Sequence, residues 1–379
     1  MRVAHVSDFY LPRLGGIELH VRDLAVRQQA AGHAVEVLTS TPGGGDDDAV
    51  PVRRITEAFR HPAALHPGGP RAVGELLRTG KYDVVHVHAG VFSPLAFAAV
   101  AAGAGAGLPV VVTLHSFLTS YEPAFRALDT AVGWSSWPVQ WTAVSDVAAE
   151  SVRRLVGPDS PVLVLPNGTD PADWRVRRSD RDPDQVLLVG VMRLAARKRP
   201  LPLLRMLRRA RSVLSPAVGL RAVIVGEGRQ RAALERYLWR HRMRDWVELP
   251  GRLPRTGIRQ VFERADLFVA PAVLESFGIA ALEARCSGLP VLARHGSGIG
   301  SFVTHGQDGL LAGSDAEMVR DLVGLAADPA ERERLAARSR LAPPDLGWSS
   351  VLARTAAAYA AADELVRPSR SAGVLGATG

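Results

Sequence analysis

The sequence predicts an α/β protein of two domains, each built on a doubly wound parallel sheet. Three observations carry that expectation. The chain has 379 residues, more than one ordinary hydrophobic core accommodates and enough for two. Short apolar, β-branched runs recur along both halves, each followed by a polar or glycine-containing turn and then a helical stretch, the alternation that builds parallel sheets. Between the halves, Arg175 to Asp184 is rich in Arg, Asp and Ser, the composition of a linker about which two halves can hinge. The expected divisions are residues 1–172, residues 173–350, and a terminal helix with a frayed tail over 351–379.

In chain order, Met1–Ser7 reads as a strand, Asp8–Gly16 as a loop, and Ile17–Ala31 as a helix closed by Gly32. Strand, glycine loop and helix form the arrangement that cradles phosphate, although the G-x-G-x-x-G spacing of a dinucleotide site is missing. Val35–Thr39 is the second strand. Gly43–Asp48 is a surface turn, in which Asp46, Asp47 and Asp48 suit a solvated hairpin better than a metal site. His61, His66 and the nearby prolines and glycines make a loose segment. Tyr82–His88 is a strand ending His-x-His, and its period of two points both imidazoles to one side. That spacing also suits a metal pair, but no third ligand is evident nearby. Val91–Val112 is apolar yet broken by Pro94 and Pro109, hence a buried helix and then a strand rather than a membrane span. Pro109–Leu114 delivers His115, and Gln140–Asp146 is a strand whose Ser145 caps the next helix. Pro161–Leu165 closes the first half.

The second half opens on the strand Gln185–Gly190 and continues through Arg221–Val225 and Val247–Leu253. Its most informative stretch is Pro271–Val291, PAVLESFGIAALEARCSGLPV. Asp266–Ala270 is a strand, Glu275–Gly278 a turn that opens a helix, and Gly288-Leu289-Pro290 the stop before Val291–Ala293. A helix start at such a turn aims unpaired backbone N–H groups outward, a natural seat for phosphate. Glu275 and Glu283 are eight residues apart, roughly 12 Å if helical rise separates them. Two solvated glutamates are the ordinary explanation, but the flanking Ala, Leu and Phe residues argue against a solvated face.

The run E-S-F-G-I-A-A-L-E followed by A-R-C-S-G-L-P-V resembles the E-x7-E signature of retaining glycosyltransferases of family 4, which have the GT-B fold: two Rossmann-like domains facing a central cleft. Further pieces extend the resemblance over nearly the whole chain. Gly15-Gly16 with Glu18 is similar to the family's GG-x-E loop. Arg193 and Lys198 match its G-x-x-R-L-x-x-x-K motif, Gly226–Arg231 its G-x-G-x-x-R turn, and Asn167–Asp170 its N-G-x-D turn. The resemblance implies a nucleotide-sugar donor, UDP- or GDP-linked, and no other cofactor. Arg193 and Lys198 would hold the diphosphate, Glu283 the ribose and Glu275 the donor sugar. Backbone groups of Gly16, Phe277, Gly278 and Ile279 would meet phosphate and sugar, and those of Arg252 and Leu253 the base. His115 would reach the sugar's primary hydroxyl or the reacting centre. The catalytic set is thus His115, Arg193, Lys198 and Glu275, without metal, and the terminal helix Leu346–Val366 would cross back to the first domain. Three departures stand out. Arg199 occupies a usual Gly, Arg285 and Cys286 occupy small or apolar positions, and Ser301 replaces a common Glu.

Composition narrows the remaining choices. The net charge of +8 is uneven: residues 1–172 hold 13 Lys/Arg against 16 Asp/Glu, and the basic excess lies beyond them. No zinc-finger spacing or RNA-binding aromatic pattern accompanies it, so nucleic acid is not an expected partner. One cysteine, Cys286, excludes an internal disulfide. With no signal peptide before the first strand, a cytoplasmic enzyme is expected. The expected activity is sugar transfer to the hydroxyl of a small soluble metabolite or glycan. Peripheral membrane contact is not favoured, despite a basic run of Arg53, Arg54, Arg60, Arg71, Arg78 and Lys81. The alternatives are a nucleotide-sugar epimerase of similar shape, for which extra acid/base carboxylates are lacking, and a non-catalytic nucleotide-sugar-binding subunit.

Overall fold

The computed structural model describes residues 1–43, 49–55, 68–177 and 185–374. Asp46, Asp47, Asp48, Arg60, His61 and His66 lie outside the described residues, as does most of the linker. The chain forms two compact units, Met1–Gly168 with Trp348–Gly379, and Thr169–Gly347.

The first unit has seven strands: β1 (Arg2–Ser7), β2 (Ala34–Thr39), β3 (Val52–Arg54), β4 (Val84–Ala89), β5 (Val110–Leu114), β6 (Gln140–Ala143) and β7 (Val162–Val164). They lie in the order β3-β2-β1-β4-β5-β6-β7, every neighbouring pair parallel. The second unit has β8 (Gln185–Val191), β9 (Gly219–Val225), β10 (Val247–Gly251), β11 (Leu267–Ala270), β12 (Val291–Arg294) and β13 (Gly309–Ala312), ordered β10-β9-β8-β11-β12-β13 and again parallel. Both orders reverse once, between β1 and β4 and between β8 and β11. Loops leaving the carboxyl ends there diverge to opposite faces, which opens a crevice beyond the sheet edge.

Helices cover both faces of such sheets, so central strands read as continuous apolar runs. VVVTL of β5 is buried throughout, and so is VVHVHA of β4, including both histidines. The second unit closes around Leu188, Leu203, Leu204, Ile224, Leu267 and Leu322. In the first unit, Ala358, Tyr359 and Ala362 of the C-terminal helix Trp348–Val374 pack with Val3, Val37, Val84 and Val111. Helix Gly16–Ala30 starts and ends within one residue of expectation, and Gly32 takes φ +89° after it. Strand β3 was not legible. Three residues show too little alternation, and Arg53 and Arg54 read only as charge. No helix among the described residues is long and apolar enough to cross a membrane.

Candidate active site

In the second unit the expected donor residues come from loops after β8, β10 and β11 and from the helix that follows β11. The loop after β8 carries Arg193, which is exposed, on a backbone tied to the next turn: Met192 N–H donates to Val225 O (3.0 Å), Leu194 N–H to Glu227 O (2.8 Å) and Gln230 N–H to Leu194 O (2.9 Å). This closeness explains Gly226 and Gly228. A Cβ on Gly226 would stand 1.8 Å from Met192 O, and one on Gly228 2.4 Å from Leu194 O. The glycines therefore let two backbones meet and fix where Arg193 starts.

Lys198 follows on a 3₁₀ turn, Ala196–Lys198, and its Nζ contacts the Glu275 carboxylate, both side chains largely buried. The residue types that resemble a phosphate cation and a sugar carboxylate are thus adjacent, although 77 positions separate them. Arg199, at the usual Gly position, keeps the left-handed backbone that glycine would adopt (φ 58°, ψ 41°). Its guanidinium makes a two-pronged pair with Asp315 (2.8 and 2.7 Å), so the departure leaves the turn in place.

Glu275 lies in the loop before helix Ile279–Cys286, which begins after Gly278. That corrects the expected spacing: only the stretch up to Glu283 has helical rise, so eight helical steps do not set the separation of the two carboxylates. Gly298 N–H donates to Glu275 O (2.7 Å), and Phe277 is buried against Phe302 (5.3 Å between centroids). Gly278 has φ +92°, and a Cβ there would come within 2.7 Å of Ile299 Cγ1. The turn is held rigid directly before the helix N-terminus. Glu283 is buried on that helix. Arg285, another departure, is buried and pairs with buried Asp308 (2.6 Å), whose other oxygen accepts from Thr304 N–H (2.8 Å). Burial pushes the Cys286 thiol up to about 12, so it stays protonated and inert. Arg252 and Leu253 follow β10 directly after Gly251, which has φ +84°. Ser301 is exposed, its hydroxyl donating to Gly298 O (2.6 Å).

In the first unit, Gly16 is the first residue of its helix, and Glu18 folds back over that start. A Cβ on Gly15 would lie 2.4 Å from Glu18 Oε2, while Glu18 Oε1 pairs with Arg13 Nε (3.1 Å). His115, just past β5, is buried and lies 3.1 Å (Nε2) from His88 Nδ1. His88 Nε2 in turn is 3.0 Å from His5 Nδ1. Strand register explains the meeting, because His5 sits opposite His86 and Ser7 opposite His88 on adjacent β1 and β4.

A third imidazole therefore does stand beside the His86/His88 pair, contrary to expectation. The ligand nitrogens of His5, His86 and His88 lie within 4.8 Å of one another. All six ring nitrogens are nonetheless within hydrogen-bond distance of side chains: His5 also meets Gln28 Oε1 (2.7 Å), and His86 meets Tyr359 OH (3.0 Å) and Thr113 Oγ1 (2.8 Å). A metal would have to displace these partners. Burial lowers the pKa of His5 to about 4 and holds those of His86, His88 and His115 well below the ordinary imidazole value, with neighbouring imidazoles adding to the shift for the last three. His20, stacked on Trp348, falls to about 4, again by burial. All five are neutral at pH 7. Sequence reasoning missed His5, His20, Gln28 and Tyr359. Only His5, a polar residue inside an apolar strand, carried a local signal.

Comparison with known proteins identifies the family and agrees with the two-unit fold. Residues 14–173 match the family model described as Glycosyltransferase Family 4, and residues 174–342 the one described as Glycosyl transferases group 1. A glycogen synthase of Mycobacterium tuberculosis is 31% identical over 407 aligned residues, covering 96% of this chain and 95% of the relative. A D-inositol 3-phosphate glycosyltransferase of Pseudarthrobacter chlorophenolicus is 27% identical, covering 92% and 90%. Among solved structures, Anabaena HepE in complex with UDP and glucose superposes with a TM-score of 0.75 at 19% identity, over 94% of this chain and 98% of that one. Two parallel-sheet units, the motifs on their carboxyl-end loops and an end-to-end relative place this chain in glycosyltransferase family 4, as a transferase with the GT-B fold.

Proposed function

We propose that the enzyme moves a sugar from a UDP- or GDP-linked donor to the hydroxyl of a small soluble metabolite or glycan, with retention of configuration and without a metal ion. The observation that carries this reading is the Lys198–Glu275 contact, set at the loops after β8 and β11 and beside the N-terminus of helix Ile279–Cys286. A leaving nucleoside diphosphate gains negative charge as its bond to the sugar breaks. Lys198, Arg193 and the helix N-terminus offer preorganised positive charge for it. Glu275 accepts donor-sugar hydroxyls and Glu283 those of the ribose. Backbone groups of Phe277, Gly278 and Ile279, with Gly16, serve phosphate and sugar, and those of Arg252 and Leu253 the base. His115 meets a sugar hydroxyl. In the transfer, the bond from the anomeric carbon to phosphate oxygen breaks, and a bond to the acceptor oxygen forms on the same face. The acceptor's proton passes to the departing phosphate oxygen.

Relatives named for phosphatidylinositol occur as well, but those named for glycogen and for an inositol phosphate align over more of the chain and support a soluble hydroxylated acceptor. The basic run points the same way. Arg53 is paired with Glu36 (2.8 Å), which offsets its charge, and Arg54 is held against the fold by donating to Leu11 O (2.8 Å) and Thr41 O (3.1 Å). A panel of nucleotide-sugars, scored for released nucleoside diphosphate with and without EDTA, tests the proposal. Turnover of one donor, insensitive to chelator, is expected. Activity lost in EDTA and restored by Mg²⁺ overturns the metal-free part, and no diphosphate release from any donor overturns the whole.

A further inference from the structure

Eight buried polar side chains of the first unit form one continuous hydrogen-bond chain, and its direction can be worked out from one end. Thr142 Oγ1 donates to Val112 O (3.1 Å), a carbonyl that can only accept. Thr113 Oγ1, 2.7 Å from Thr142 Oγ1, must then donate to it. Thr113 therefore accepts from His86 Nε2 (2.8 Å), which places the His86 proton on Nε2 and makes Nδ1 an acceptor. Tyr359 OH donates to it at 3.0 Å and accepts in turn from Gln28 Nε2 (2.9 Å). Gln28 Oε1 thereby faces His5 Nε2 at 2.7 Å and requires a proton there. His5 Nδ1 then accepts from His88 Nε2 (3.0 Å), and His88 Nδ1 from His115 Nε2 (3.1 Å). With Thr142 donating to Val112 O, each later link follows.

We infer that this chain locks His115 as the neutral tautomer protonated on Nε2, so that its Nδ1 can only accept a hydrogen bond, with His88, His5, Gln28 and Tyr359 as positioning residues. The inference rests on the reading of His115 as substrate-facing and deepens it. A ring that can only accept at Nδ1 selects a hydroxyl donor there and refuses a phosphate or carboxylate oxygen. A reversed link anywhere inside would set two N–H groups, or two lone pairs, against each other away from water, which buried groups tolerate poorly. The chain ends on a backbone carbonyl, so it has no proton sink. It orients His115 and does not carry a proton away. Burial, which keeps each imidazole uncharged, is what allows a one-proton-per-ring chain to persist.

Ring-¹⁵N NMR of histidine-labelled protein tests it without substrate, the His115 signals being assigned by their loss in His115→Asn. At pH 7.5 His115 should show a protonated Nε2 and an unprotonated Nδ1. A proton on Nδ1, a charged ring, or His5, His86 and His88 nitrogens that respond to added Zn²⁺ overturns the inference. Gln28→Leu removes the acceptor facing His5, so the His115 proton should distribute over both nitrogens. The kcat should then fall at least twofold at unchanged donor KM. Gln28→Glu keeps an acceptor in place and should retain the wild-type tautomer. An unchanged His115 spectrum in folded Gln28→Leu removes Gln28 from the set. Should that variant not fold, Tyr359→Phe makes the same measurement, and the wild-type spectrum decides alone. The spectrum can fail while transferase turnover stands, and turnover can fail while the spectrum stands, so the two readings are separable.

Discussion

Lys198 and Glu275 each hold a partly buried charge against the other, and removing either partner leaves the remaining one uncompensated. Charge-assisted hydrogen bonds contribute about 1.5–3 kcal/mol, so Lys198→Ala should weaken nucleoside diphosphate binding by about 10- to 100-fold while barely changing nucleoside binding. Calorimetric titration with both ligands checks this, and equal losses would contradict the phosphate role. Glu275→Ala should remove transfer while leaving a folded protein, because a carboxylate accepting sugar hydroxyls acts in the bound state; near-normal turnover would sink its assignment. The neighbouring Arg199 makes a different case. Its left-handed backbone is strained by about 1 kcal/mol, and its half-exposed pair with Asp315 returns a similar amount. Arg199→Gly should therefore stay near wild-type stability in urea melts, whereas Arg199→Ala, which keeps the strain and loses the pair, should be less stable by about 1 kcal/mol.

Helix Ile279–Cys286 shows how one element was legible in outline and wrong in a detail. The punctuation by Gly278 and Gly288-Leu289-Pro290 marked both ends, since only glycine takes the +92° and +78° φ values found there without strain. The carboxylate spacing was misjudged because counting residues cannot tell a loop residue from a helical one: Glu275 precedes the first turn. Gly278→Ala should destabilise the second unit by about 2 kcal/mol, from the left-handed backbone and the contact with Ile299, and should weaken donor binding through the displaced turn. Wild-type melts and wild-type donor KM in that variant would show that the turn is not rigidly specified. The basic Arg285 inside the same helix had no explanation in the sequence, and its partner Asp308 is 23 residues away.

Across the whole molecule, the two units should respond differently to acid. Five buried histidines in the first unit are neutral when folded, with His5 and His20 at about 4 against 6.5 for a free imidazole. Below pH 6.5 the unfolded chain takes up protons that the folded unit refuses. Stability is therefore full above about pH 6.5 and falls as the pH drops towards 4, by about 3 kcal/mol for each of His5 and His20. Asp8, raised to about 6 by burial while accepting from Leu95 and Ala96 N–H, works in the opposite sense over pH 6 to 4, but as a single group. Calorimetric melts from pH 8 to 5 should show the first unit losing stability well before the second. His86→Asn or His5→Gln should shift that acid transition, and identical acid responses of both units would contradict the buried neutral cluster.

The sequence by itself determined the class of fold and the family, and it pointed to the residues proposed for the donor, because these depend on local matters: apolar runs of strand length, glycines where the backbone turns, and motifs whose members lie close together in the chain. Arg193, Lys198, Glu275 and Glu283 were all readable in this way. Only the tertiary structure decided which of them meet. It set Lys198 on Glu275 across 77 positions, and drew His5, Gln28, His86, His88, His115 and Tyr359 from three strands or strand ends and two helices into one buried chain. Gln28 and Tyr359 lie 331 residues apart on two helices, and the register of β1 against β4 sets His5 beside His86. Contacts of that kind follow from how strands order and helices dock, which no spacing along the chain records.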